Sequence, residues 1–255
     1  MTQAADTGTA EVLAVVRGHG TEPAVTKSAA VIARLIDADV REVRLAAGLS
    51  PEKAARQVIR ALHRPGTVTG ALAGDAASRP LWRRVVQQSV KPVVLVPTAA
   101  RDRPPPIRRV LVPLDGTVRS AAAVAAMAEQ LARGGAELVV LHVFDAETVP
   151  KFWDQPAHAG HTWAQEFLAR YCAQPGARME LRSGAAADHV LKVARAEKAD
   201  MITLAWSQRL DPGRAPIVRR AIVEAAVPVM LVPIAPDDGT SGPARQRDAM
   251  VTVDV

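Results

Sequence analysis

A chain of 255 residues can fold as one large domain or as two of ordinary size. Hydrophobic residues make up 49% and aromatics only 3%, so the core must be aliphatic, a mix that suits buried parallel strands under helices and rules out a disordered string. The net charge of +6 comes from arginines scattered among Asp and Glu, without the aromatic spacing of a single-strand stacking platform, so no nucleic-acid partner is expected.

Residues 12–16 (VLAVV) form the first strand, ahead of the flexible Gly18-His19-Gly20. A helix is expected over 24–35 and a short alternating strand over 40–45. Pro51 stands at the first turn of a helix that runs to Leu62, where its missing N–H costs nothing. A strand over 67–73, a helix over 80–89 and the apolar strand 92–97 (PVVLVP) complete a first series. Strand and helix alternate, which argues for a parallel sheet covered on both faces. Pro104-Pro105-Pro106 then stop any helix and favour an extended connector, expected over 99–108. The order restarts with a strand over 110–114 that ends in Asp115-Gly116-Thr117, a helix over 120–133 and a buried strand over 137–144 (ELVVLHVF). After a less regular stretch, 145–160, come a helix over 162–172, a strand over 178–182 and a helix over 187–198. An apolar strand over 200–206, a loop with Asp211-Pro212-Gly213, a helix from Pro216 and the strand 228–233 (PVMLVP) end the series. Residues 235–255, rich in Asp, Gly, Ser, Pro and Arg, are expected to be a disordered tail.

The two series are copies of one unit. With a shift of 136, RPLWRRVVQQSVKPVVLVP and APIVRRAIVEAAVPVMLVP share eight of nineteen residues without a gap. At the front, VLAVVRG matches VLVPLDG with a shift of 98, so the second copy holds 38 extra residues around its middle helices. The expected fold class is therefore α/β, as two tandem open parallel sheets flanked by helices. The expected domains are 11–98 and 109–234.

VLVPLDGT, the alanine-rich helix after it, VVLHVF, ADMITLA and the closing PVMLVP, in that order, resemble the universal stress protein family. The resemblance covers 109–234 almost completely and 11–98 as a shortened, degenerate copy. It implies a five-stranded parallel sheet between helices, a homodimer or an internal pseudo-dimer, and often ATP or another adenine nucleotide in a cleft at the strand ends. Open α/β sheets place ligands there in general. Asp115, after Leu114 at the carboxyl end of the first strand of the second copy, could accept hydrogen bonds from a ribose or an adenine amine. An Asp-Gly turn leading into the next helix uses the same residues. Val143 matches the position whose backbone meets the base in nucleotide-binding members. Those members carry G-x-x-G, a spacer and G-[S/T] around the phosphates. Here Ala205, Gln208 and Ala215-Pro216 stand at these places, the spacer holds six residues, and Pro216 has no N–H to offer. Gly213 and Arg214, just ahead of a helix start with Ala215, form a candidate site for a small anionic ligand; a turn with a surface arginine fits them as well. ATP binding is expected to be weak or absent. In the first copy Arg17 replaces the aspartate, so that copy is expected to be a structural or dimerising partner.

Other chemistry finds little footing. His158 and His161, with Asp154 nearby and His142 and His189 elsewhere, show no motif with a third ligand, so no metal is expected. No serine lies in a nucleophile elbow, and the P-loop and dinucleotide fingerprints are absent, so no catalytic residue is named. The single Cys172 fits a reducing cytosol, and 1–10 has no basic flank ahead of an apolar run. Apolar stretches such as 201–206 are too short to span a bilayer, so a soluble cytoplasmic protein without a membrane partner is expected. Three readings stay open: a ligand-sensing regulator of the stress response, a slow ATP-hydrolysing or other nucleotide-binding enzyme, and a structural dimer scaffold.

Overall fold

Strands and helices alternate along the chain in a computed structural model that describes residues 9–17, 22–97, 106–144, 157–209 and 215–235. The first half holds β1 (Glu11–Arg17), α1 (Glu22–Leu35), β2 (Asp39–Leu45), α2 (Pro51–Leu62), β3 (Thr67–Ala73), α3 (Arg79–Gln88) and β4 (Val93–Val96). The second holds β5 (Arg109–Pro113), α4 (Val118–Arg133), β6 (Glu137–Phe144), α5 (Ala157–Tyr171), β7 (Arg178–Ser183), α6 (Ala186–Ala196), β8 (Met201–Trp206), α7 (Pro216–Glu224) and β9 (Val229–Pro233). Local chemistry sets several of the starts. Ser50 accepts a hydrogen bond from the Lys53 N–H ahead of Pro51, and Thr117 accepts one from the Ser120 N–H to cap α4.

All the described strands belong to one sheet, in the order β2-β1-β3-β4-β9-β8-β5-β6-β7. Within each half every pair is parallel, as expected. The two parallel sheets are not separate, however. They join edge to edge through β4 and β9, which run antiparallel with Val94 opposite Met230. All four residues of β4 are buried, and so are the first four of β9, so neither strand could leave its outer backbone edge dry and unpaired.

The extra length of the second half is now located. Strand β6 has an outer neighbour, β7, and α5 precedes that strand; β2, its counterpart, is the end of the sheet. Among the described residues the first half thus has one strand and one helix fewer. Elsewhere the copies correspond in detail. Arg84 on α3 pairs with Glu52 on α2, and Arg220 on α7 pairs with Asp188 on α6, the same contact repeated.

Apolar residues fill both faces of the sheet. One core joins α2, α3, α6 and α7 to Leu13, Leu95, Leu111, Leu204 and Leu231. The other joins α1, α4 and α5 to Val12, Val94, Val110, Val140 and Met230. Both cores run across the boundary between halves. On the second face the ends of α1 and α4 meet so closely that a Cβ on Gly134 would lie 1.8 Å from the Leu35 carbonyl oxygen.

Residues 98–105, most of the expected connector, lie outside the described residues, as does 236–255 of the expected tail. Of the connector's last residues, Pro106 and Arg108 are exposed and Ile107 anchors the chain. Ile107 is buried, and the Arg108 and Arg109 N–H groups donate to Asp200 Oδ2 at 2.8 and 3.0 Å. A charge network closes the amino ends of the nearby strands, with Arg109 and Arg178 both donating to Glu137, and Arg178 also to Glu197. These donors hold the Glu137 carboxyl below its ordinary value, and the carboxylates push the Arg178 guanidinium up. Among the described residues no helix is long and apolar enough to cross a membrane.

Candidate functional site

The carboxyl ends of β5, β6 and β8 open onto a cleft of about 1100 Å³ in the second half, with α5 along one side and the starts of α6 and α7 along the other. Four of the six residues expected at the site line it: Leu114, Asp115, Val143 and Ala215. The other two, Gly213 and Arg214, lie outside the described residues.

At the β5–α4 turn the backbone and one carboxylate oxygen are already engaged. The Leu114 N–H donates to the Leu141 carbonyl at 2.9 Å, continuing the β5–β6 pairing past the strand end. Asp115 Oδ1 accepts from the Thr117 N–H at 2.9 Å, from Thr117 Oγ1 at 2.8 Å and from Ser120 Oγ. Asp115 therefore builds the turn that leads into α4, while Thr117 supplies the cap. The side chain is nevertheless exposed, and Oδ2 has no partner among the described residues. Gly116 turns the chain at φ 79, and a Cβ there would lie 3.5 Å from both His142 and Phe167.

His142, weighed in the sequence only as a metal ligand, belongs instead to the lining of the cleft. Its Nδ1 lies 2.9 Å from the Leu114 carbonyl, which can only accept, so Nδ1 is the donor of that hydrogen bond. The imidazole packs among Phe144, Trp163 and Phe167 at centroid distances of 4.7, 5.4 and 4.9 Å. Tyr171 extends this cluster from Phe167. Trp163, Phe167 and Tyr171 are four residues apart on α5, a helical spacing readable in the sequence. In a chain with eight Phe, Trp and Tyr residues, five line this one cleft, including Trp206 on β8.

The far wall holds two helix starts without side-chain caps. Ala185 precedes α6 and Ala215 precedes α7, and neither side chain can accept from the first-turn N–H groups. Pro216 removes one such donor at the start of α7. Two of the residues at the phosphate-loop glycine positions have left-handed backbones, Gln208 at φ 60 and Ala215 at φ 49. Glycine reaches this region without steric cost, so the chain follows a glycine-like path with side chains attached. Ala205 shows no such geometry.

In the first half, Arg17 at the end of β1 lines, with Ser78 and Leu81, a cavity of about 20 Å³, room for about one water. Among the described residues no three His, Cys, Asp or Glu side chains are grouped to hold a metal. Asp154 and the His158 side chain lie outside the described residues, and a nitrogen of His189 lies 3.0 Å from the Ser183 carbonyl.

The Universal stress protein family model matches residues 106–233 of the chain. The fold is similar to a universal stress protein from Archaeoglobus fulgidus DSM 4304, at 15% identity, over 88% of this chain and 96% of that one, with a TM-score of 0.56. It is similar to a functionally unknown protein from Pseudomonas aeruginosa PAO1 at 12% identity, over 89% and 94% of the two chains, with a TM-score of 0.57. No curated protein gives a significant match to the sequence.

Proposed function

The chain belongs to the universal stress protein family, and on that premise we propose that it is a cytoplasmic, ligand-sensing regulator of the stress response whose second half carries an atypical nucleotide or anion cleft. One observation carries this reading: the open cleft at the strand ends gathers Leu114, Asp115, Val143 and Ala215 beside two uncapped helix starts. Asp115 Oδ2 accepts from a ligand hydroxyl or amine, and the backbone of Val143 faces the ring. The first-turn N–H groups of α7, with Gly213 and Arg214, take the anion.

A polyphosphate is poorly served by this cleft. Pro216 has no N–H, and Gln208 and Ala215 carry side chains where nucleotide-binding members of the family have glycine. The ligand is bound and not turned over. The halves are the two domains of the tandem pair, and the β4–β9 pairing stands in for a dimer of single-domain subunits.

Mass spectrometry of the small molecules that co-purify with the protein, followed by calorimetry, tests this function. A phosphorylated or nucleoside-like compound is expected, with ATP binding weaker than about 10 μM, or about 7 kcal/mol. Arg214→Ala should weaken an anionic ligand roughly ten-fold or more, the cost of a charged hydrogen bond. Arg17→Ala should change little. A cleft that binds no small molecule, or a loss caused by Arg17→Ala and not by Arg214→Ala, would refute the assignment.

A further inference from the structure

Gln208 occupies a left-handed backbone position that glycine would fill more easily, and its side chain shows what is gained there. The amide Nε2 donates to the Ser89 carbonyl at 2.7 Å and to the Val86 carbonyl at 3.4 Å. Both acceptors belong to the carboxyl end of α3, in the other half of the chain. Helix ends leave their last carbonyls without intrahelical donors, and the last turn of α3 holds no basic residue to serve them. A residue at the exit of β8 thus caps a helix of the first half.

The hydrogen bonds continue inward from there. Ser89 is 1% exposed, and its Oγ accepts from the Lys91 N–H at 3.1 Å while lying 2.8 Å from the Lys91 carbonyl. Lys91 Nζ reaches the Arg64 carbonyl at 2.9 Å, in the turn between α2 and β3. On the other side, Trp206 and Ser207 line the cleft just before Gln208, and the Trp206 carbonyl accepts from the Ile234 N–H at 2.9 Å.

We propose that Gln208 is a positioning residue through which the first half fixes the exit of β8, and with it one wall of the second half's cleft. The inference rests on the reading of that cleft as a ligand site and names how the site is regulated. A shift of the α3–β4 turn moves Trp206 and Ser207, and a ligand seated against them biases that turn in return. The first half then has a role although its own strand end carries Arg17 and a cavity of water size.

The test is hydrogen exchange of the full chain, followed by mass spectrometry, for wild type, Gln208→Glu, Gln208→Gly and Arg209→Ala. Glutamate keeps the shape but presents oxygens to the two carbonyls, and glycine relieves the backbone while removing the strap. Both variants should exchange roughly 5–10-fold faster in peptides covering 202–209 and 85–91, with β5, β6 and β7 unchanged. Arg209→Ala, altering an exposed neighbour, should match wild type. If Gln208→Gly exchanges like wild type in both peptides, or if exchange rises uniformly over the sheet, the strap is only a local cap or a general stabiliser and the inference fails. No cleft ligand enters this experiment. Failure of the ligand reading would appear separately, as an empty cleft in the calorimetry.

Discussion

Gly134→Ala tests the contact between halves most sharply. Gly134 has φ −73, a backbone that alanine adopts freely, so on local grounds the substitution should stabilise by about 0.4–1 kcal/mol. The tertiary contact reverses that sign. The new Cβ would lie 1.8 Å from the Leu35 carbonyl oxygen and 2.8 Å from its carbon, where real Cβ atoms essentially never come within 3.0 Å. Because the obstacle is backbone at the end of α1, no side-chain rotation relieves it, and α1 and α4 must move apart by more than 1 Å. Overpacking of this kind costs about 3 kcal/mol, leaving a net loss of at least about 2 kcal/mol. In urea, with a slope of about 2–3 kcal/mol/M for a chain of this length, the midpoint should fall by roughly 1 M. Gly135→Ala is the control: it meets nothing within 4 Å, and its φ of 91 alone should cost about 1 kcal/mol. A loss below about 0.5 kcal/mol for Gly134→Ala would show that the halves do not meet as described.

Glu137 is held ionised by Arg178 and Arg109, so its contribution to stability is present above the ordinary carboxylate value of 4.5 and is lost as pH falls through its lowered folded-state value. Melting curves taken at successively lower pH should therefore show Glu137→Gln losing less stability in acid than wild type; parallel losses would count against the network. Edge strand β2 presents Glu42 and Arg44, paired at 2.8 Å, beside a backbone row with no outer strand among the described residues. Replacing both with Val should make the protein associate, as measured by light scattering, and an unchanged particle size would mean that the edge is protected by other means.

The element order was readable because prolines punctuate it: Pro51 and Pro216 each stand at a helix start, and the proline triplet separates the copies. The missing strand was visible only as a difference in length. An apolar run such as PVVLVP states that a strand is buried but not which strand lies beside it, so the β4–β9 junction could not be read. At the site, Asp115 stood out because a carboxylate ends an otherwise apolar strand. His142 and Phe144 looked like ordinary strand residues, and their meeting with α5 is a tertiary event. The left-handed turns at Gln208 and Ala215 were hidden for a plainer reason: neither residue is glycine, the usual marker of such a backbone.

The antiparallel seam between β4 and β9 has a consequence for how the molecule responds to its own concentration. Two strands on separate chains find each other by mass action, and their pairing weakens on dilution. Strands tethered within one chain see each other at an effective concentration on the order of millimolar, however dilute the protein becomes. The pairing is thus buffered against changes in expression level, and its unfolding midpoint should not move with protein concentration. The tether also makes the pair unequal. A ligand confined to the cleft of the second half should titrate along a simple hyperbola, where two equivalent coupled clefts could give a cooperative curve.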